Sequence, residues 1–285
     1  MAIEKVRRKT FKIRESGRST DFISPSFGHG CLYDCSYCYM KRHKPNGLSI
    51  AVNTEEILTE INNHSWFAVV DKPNQTHPNL ITYDISCNED FALHAKYHEW
   101  VKIFDFFKNS PFTMGSFATK YVNKKFLTYN PEKNIRIRFS LMPESMRYKH
   151  ERNTSTILER IQAIDMFIEA GYDVHINFSP IIVTDTWLQD YEELFNLVND
   201  NVVNKNVVFA ECIFLTHNVK KHTVNLTRHK IAEIDLWKPE IQETKQSQYG
   251  GENLRYSKYK KSLYIRQFID LHDKIIKWNK IRYIF

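Results

Sequence analysis

Three of the five cysteines fall within one string, Gly30-Cys31-Leu32-Tyr33-Asp34-Cys35-Ser36-Tyr37-Cys38-Tyr39-Met40, spaced C-x3-C-x2-C, while Cys87 and Cys212 stand far away and apart from each other. Thiolates gathered in this way are ligands for a soft metal. A structural zinc site closes its tetrahedron with a fourth Cys or His at comparable spacing, and an ordinary ferredoxin cluster takes four cysteines. Neither fourth ligand is evident. Three cysteines on a short loop suit instead a 4Fe–4S cluster with one iron open to an exogenous chelating ligand; zinc or plain structural cysteines are the alternatives.

Other residue types add less. Of the twelve histidines, His94 and His98 are four apart, a metal-compatible spacing, but no third ligand accompanies them and they are expected at the surface. His29, two residues before Cys31, is expected to pack on the cysteine loop without ligating. No G-x-G-x-x-G or P-loop string is present, which disfavours an enzyme of nucleotide phosphates. Taken alone, Cys87 reads as a buried cysteine beside an apolar strand.

The elements that must position these residues follow from periodicity. Residues 21–27 are predicted as a strand that runs directly into the cysteine loop. Residues 54–67 carry a helix signature, with Thr54 as N-cap and Glu55 and Glu56 in the first turn. Residues 79–86 read as a buried strand with Cys87 just past its end, and 91–108 as one helix that Pro111 terminates. A strand follows at 112–119. In 134–140, Ile135, Ile137 and Phe139 alternate with Arg136 and Arg138, which predicts a strand with a polar face. Residues 154–170 form the clearest helix, capped by Thr154 or Ser155 and ended by Gly171. Further strands are expected at 173–179, 206–214 and 281–285, and helices at 187–199 and 259–278.

Strand, loop and helix repeated about six times describe an α/β barrel or partial barrel, whose active groups gather where strands end. Cys31, Cys87, Lys120 and Ser140 all fall at such ends. The chain of 285 residues is 42% hydrophobic and lacks a Pro/Gly/Ser-rich linker. It is expected to hold a basic N-terminal segment (1–20), a partial barrel (21–215) and a C-terminal extension (216–285). A net charge of +7 with 14% aromatic residues is compatible with nucleic acid without pointing to it. No apolar run resembles a signal peptide or a membrane span, and a cytoplasmic location is expected.

The C-x3-C-x2-C spacing, with Tyr37 before the last cysteine, resembles the radical S-adenosylmethionine superfamily, and the longer string from Gly30 to Tyr39 more narrowly resembles the spore photoproduct lyase family. That resemblance implies a partial (β/α)6 barrel in which Cys31, Cys35 and Cys38 hold the cluster and S-adenosylmethionine chelates the open iron. It implies cofactor contacts from Tyr37, Lys120 and Ser140, and from Asn88, which follows Cys87 in place of the family's hydroxyl residues. It implies a hydrogen-donating role for Cys87, and radical return through Tyr39 with Tyr37. The segment Arg255-Tyr256-Ser257-Lys258 is similar to the family's substrate segment, with shorter spacing, so Arg255, Tyr256 and Lys258 are the implied substrate contacts.

The reaction so implied is repair of the methylene-bridged thymine dimer, 5-thyminyl-5,6-dihydrothymine, to two thymines through a 5′-deoxyadenosyl radical. Lesion-bearing DNA and an electron donor such as flavodoxin or ferredoxin would be the partners. Two other readings stay open: a radical enzyme acting on another modified thymine or a nucleoside, and a non-catalytic zinc-stabilised module that binds nucleic acid.

Overall fold

Runs of β-branched and aromatic residues form the strands, and apolar stripes at helical spacing form the helices between them. The structure is a computed structural model and describes residues 3–40, 44, 47–67, 72–218, 223, 227, 235–246 and 252–285. Contacts group the chain into two compact units that interleave along the sequence: residues 1–32, 46–139 and 163–175 in the first, and residues 33–45, 140–162 and 176–285 in the second. This differs from successive blocks divided at residues 20 and 215. The parts of the expected C-terminal extension at 219–222, 224–226, 228–234 and 247–251 lie outside the described residues.

The first unit contains β1 (Ile3–Val6), β2 (Arg14–Glu15), β3 (Phe22–Ile23), β4 (Gly28–Gly30), β5 (Leu48–Ala51), β6 (Ile81–Asp84), β7 (Thr113–Thr119) and, up to Phe139, β8 (Ile135–Leu141). A small sheet has the order β1-β5-β4, and a larger one runs β2-β3-β6-β7-β8. After the antiparallel β2–β3 pair, every neighbour in the larger sheet is parallel, with Phe22 beside Tyr83, Ile81 beside Thr113 and Gly115 beside Ile135. Parallel neighbours need crossover connections. The helices Thr54–Phe67 and Trp100–Asn109 belong to those connections.

The basic N-terminal residues are therefore part of a sheet, because β1 pairs with β5 over Ile3–Val6. The predicted strand at 21–27 shrinks to Phe22–Ile23 followed by the separate β4. The core of this unit is aromatic: Phe104 packs 5.0 Å from Phe126, and Phe91 packs 5.4 Å from Phe117. Each such buried ring contributes roughly 1.5–3 kcal/mol relative to exposure. Gly115 lets this packing close, since a Cβ there would come within 2.8 Å of the Phe107 ring.

Two expectations fail here for physical reasons. The helix expected over 91–108 is instead Phe91–His94, a 3-10 turn Ala95–Tyr97, an extended His98 and then Trp100–Asn109. The polar face expected on β8 does not exist, because all seven of its residues are buried. Arg136 and Arg138 enter the interior with partners, Asp173 at 2.7 Å and Asp84 at 2.8 Å, as a buried guanidinium must.

In the second unit, β9 (Asp173–Ile181, from Ile176), β10 (Phe209–Phe214) and β14 (Lys280–Ile284) are ordered β9-β10-β14. An antiparallel sheet of β11 (Thr216–Asn218), β13 (Glu252–Tyr256) and β12 (Gln242–Gln246) accompanies them. The helices Glu144–His150, Trp187–Asn201 and Lys258–Ile275 complete the unit. Phe178, Phe195 and Phe268 form its core, with ring centroids 5.3–5.8 Å apart. The helix expected over 154–170 spans Ile157–Glu169, and its start is set by Thr156. The Thr156 amide donates to Glu159 at 2.7 Å and the Glu159 amide donates to the Thr156 hydroxyl at 3.2 Å, a reciprocal capping box. Among the described residues no helix is long and apolar enough to cross a membrane.

Candidate functional site

In the first unit, β4 delivers the chain to Cys31, and the residues on either side of that cysteine are held from one segment. The Gly30 amide donates to the Asn88 carbonyl at 3.0 Å, and the Leu32 amide donates to His94 Nε2 at 3.3 Å. Glu89 Oε2 lies 2.9 Å from both His94 Nδ1 and His98 Nε2, and all three side chains are 2% exposed or less. His94 and His98 are thus interior groups, in contrast to the surface placement expected from spacing alone. Burial raises the Glu89 carboxyl, but His98 and His94 more than reverse that and hold it down at about 2.

Cys87 sits just beyond β6. Burial first, and then the Asp84 carboxylate, push its thiol up to about 11 against opposing effects of Arg14 and Arg138. At neutral pH the sulfur therefore keeps its hydrogen. The side chain of Asn88 donates to the Ser26 hydroxyl at 2.6 Å. At the end of β7, Asp90 accepts from the Thr119 hydroxyl at 2.7 Å and from the Lys120 main-chain amide at 2.9 Å, and it also caps the turn at Phe91 through the Leu93 amide at 3.2 Å. Sequence reasoning missed Asp90 and Asp84 as organising groups. An Asp directly before an apolar helical start was the available signal for the first; nothing local marked the second.

In the second unit, the Cys38 amide donates to the Cys35 carbonyl at 3.0 Å, so the two cysteines share a tight turn. Between them Ser36 donates its amide to the His150 carbonyl at 2.9 Å, and its hydroxyl lies 2.6 Å from His150 Nδ1. His150 Nε2 in turn lies 2.9 Å from Asp235 Oδ2. The order Ser, His, Asp is that of a hydrolase triad. Ser36 is only 1% exposed, so its hydroxyl anchors the loop and does not meet an acyl substrate.

The Tyr37 hydroxyl donates to Glu151, and burial followed by that carboxylate pushes the phenol well above its ordinary range. Glu151 pairs with Arg160 at 2.9 Å, both fully enclosed. Arg160 also donates to the Ser140 carbonyl at 2.7 Å and the Thr154 hydroxyl at 2.6 Å. The Ser140 hydroxyl is buried and accepts from Asn177 Nδ2 at 3.4 Å. Tyr39 is 36% exposed.

The three implied substrate contacts separate in kind. Arg255 is partly exposed and donates twice to Glu243, at 3.0 and 2.6 Å. Lys258 is exposed at the start of its helix. Tyr256 is 1% exposed, and its oxygen accepts from the Val183 amide at 2.8 Å. It is a core residue, which corrects its expected role.

None of the five cysteines is in a disulfide. Among the described residues no three of His, Cys, Asp and Glu are gathered where a single ion would sit. Thiolate is the donor that a 4Fe–4S cluster takes from a protein chain, and Cys31, Cys35 and Cys38 supply three of them.

Comparison with known proteins brings these observations together. The sequence profile described as spore photoproduct lyase matches residues 3–285. A spore photoproduct lyase of Bacillus subtilis is 27% identical over 193 residues, 66% of this chain and 54% of that protein. One of Clostridium acetobutylicum is 24% identical over 184 residues, 63% of this chain and 52% of that protein. The chain thus spans about half the length of the curated relatives it matches. A cysteine-to-alanine variant of spore photoproduct lyase with dinucleoside spore photoproduct superposes with a TM-score of 0.88 at 19% identity, over 99% of this chain and 82% of that one. A doubly substituted variant with bound AdoMet and dinucleoside spore photoproduct gives 0.88 at 18% identity over the same shares. The structural likeness carries the fold, the α/β class that the sequence led us to expect. With the profile running nearly end to end, the chain belongs to the spore photoproduct lyase family.

Proposed function

We propose that this protein is a radical S-adenosylmethionine lyase that restores two thymines from the methylene-bridged thymine dimer in DNA. The observation that carries the reading is the pairing of the C-x3-C-x2-C string with Cys87, a cysteine kept in its protonated form beyond the second parallel strand of the larger sheet. When bound, a 4Fe–4S cluster and S-adenosylmethionine supply a 5′-deoxyadenosyl radical by one-electron cleavage of the sulfonium. Cys31, Cys35 and Cys38 hold the cluster. Lys120 and Ser140 orient the cofactor's polar end, and Asn88 is the weaker of the implied contacts because its amide is committed to Ser26.

Cys87 gives its hydrogen atom to the thymine-centred radical left after fragmentation, for which an S–H bond that stays intact at neutral pH is the required form. The phenol of Tyr39, the exposed tyrosine of the loop, would then give its hydrogen atom to the Cys87 thiyl, with Tyr37 as a relay whose hydroxyl is held by Glu151, and the tyrosyl so formed would regain a hydrogen atom from 5′-deoxyadenosine. Arg255 and Lys258 meet the lesion's phosphate or carbonyl groups. DNA and a low-potential donor of the flavodoxin or ferredoxin type are the partners, and the cytoplasm, where thiols stay reduced, is the location.

A second reading is favoured by one observation. Arg255 is already engaged by Glu243, so a radical enzyme of another modified thymine or nucleoside would leave that pair intact. Anaerobic reconstitution with reductant, S-adenosylmethionine and a lesion dinucleotide separates the readings. Repaired thymine together with 5′-deoxyadenosine supports lesion repair; 5′-deoxyadenosine without repair points to the other substrate; a colourless zinc protein excludes both. With Cys87→Ala the iron content should be unchanged and the products diverted, and normal yield of clean repair would remove Cys87 from the reaction. Alkylation of Cys87 in the native chain should accelerate with pH towards about 11.

A further inference from the structure

We propose that Glu89, His94 and His98 are positioning residues for Cys31, forming a buried clamp on the main chain that follows it while Asn88 holds the main chain that precedes it. The two contacts bracket the cysteine: Gly30 amide to Asn88 carbonyl, 3.0 Å, and Leu32 amide to His94 Nε2, 3.3 Å. Since Nε2 accepts, Nδ1 must carry the proton of a neutral His94, and it points to Glu89 Oε2 at 2.9 Å. The acid thereby selects the tautomer that can receive the Leu32 amide, the service a carboxylate commonly performs for a histidine ligand. His98 fixes the acid from the other side, 2.9 Å from the same oxygen, with its ring stacked 4.9 Å from Phe91.

Three features show that the fold is built around this arrangement. The expected helix is interrupted at His98, whose extended backbone follows the 3-10 turn. A Cβ at Gly28 would lie 2.3 Å from Glu89 Oε1, so the carboxylate enters only because residue 28 is glycine. That same Oε1 has no hydrogen-bond partner among the described residues, so the acid's placement is dictated by its two imidazoles. An apolar plug would hold the segment without burying an acid; what it would not supply is an oriented acceptor for Leu32.

The clamp is a property of the polypeptide, and only its consequence for iron rests on reading Cys31 as a cluster ligand. The test uses the full chain, with Glu89→Gln and His94→Gln as variants and Phe104→Leu, in the aromatic core of the same unit, as a control matched for loss of thermal stability. Amide hydrogen exchange at Leu32 in iron-free protein should quicken about tenfold in both variants, the effect of releasing one main-chain hydrogen bond, and stay unchanged in the control. After anaerobic reconstitution, a chelator should strip iron from the variants about tenfold faster than from the native chain or the control. Unchanged Leu32 exchange in a folded Glu89→Gln, the milder variant, overturns the clamp, as does equal quickening in Phe104→Leu. A native chain that takes up no iron defeats the cluster reading, and the exchange measurement still decides the clamp.

Discussion

Two stretches of the molecule hold parts of the cysteine string with the same chemistry under different sealing. Beside Cys31, Glu89 is 1% exposed and is met by two imidazoles. Around Ser36 and Tyr37 the holding groups come in two kinds. Glu151 and Arg160 are sealed completely, while Asp235 lies nearer the surface, with Lys149 3.7 Å away in solvent. The penalty for removing a partner should therefore follow enclosure and not bond length, because water can replace a lost partner only where it can reach.

Arg160→Met should have the largest effect. Leaving Glu151 enclosed without its cation should cost about 3–5 kcal/mol in urea unfolding, and adding Glu151→Leu should recover much of the loss. A loss below about 1 kcal/mol would mean that enclosure does not govern these contacts. Next in size, His150→Ala removes the acceptor of the Ser36 hydroxyl and the partner of Asp235, and should cost roughly 1–3 kcal/mol. Ser36→Ala should cost about 0.5–1.5 kcal/mol, and a serine-directed fluorophosphonate should fail to label the native chain; labelling would turn the anchor back into a nucleophile.

The folded-state carboxyl of Glu89 titrates at about 2, below its ordinary 4.5. Its contribution to stability is therefore full above that ordinary value and disappears as pH falls from there towards about 2. The Asp235 carboxyl is also lowered, chiefly by its hydrogen bond with His150, so its contribution fades in the same direction. Unfolding free energy measured between pH 6 and 2, taken as a range of roughly that width around both groups, should fall less steeply in Glu89→Gln and in Asp235→Asn than in the native chain. Identical slopes would show that neither acid is held as described.

The helix Thr54–Phe67 was legible to the residue, because its acidic first turn and apolar stripe are local signals. The clustering of Cys31, Cys35 and Cys38 is likewise a local feature of the sequence. Arg136 and Arg138 were misread as a polar face because alternation reports side, not burial, and their partners Asp173 and Asp84 are distant in sequence. His94 and His98 were misplaced for the same reason: four-residue spacing shows a shared face, while Glu89, whose approach depends on the missing side chain at Gly28, decides that the face is interior. The short strands β1, β5 and β12 carried too few residues for alternation to stand out. Tyr256 lay beside a familiar arginine and lysine, and nothing local revealed that its oxygen faces Val183.

Asp90 has a consequence for how the family's contacts can vary in this chain. One carboxylate receives the first turn after Cys87 and, through Thr119 and Lys120, the end of the neighbouring strand. It acts as a rivet through two adjacent strand ends. The distance from the thiol's segment to the lysine's backbone is therefore a single dimension, and any change that lengthens one loop must carry the other with it or lose the rivet.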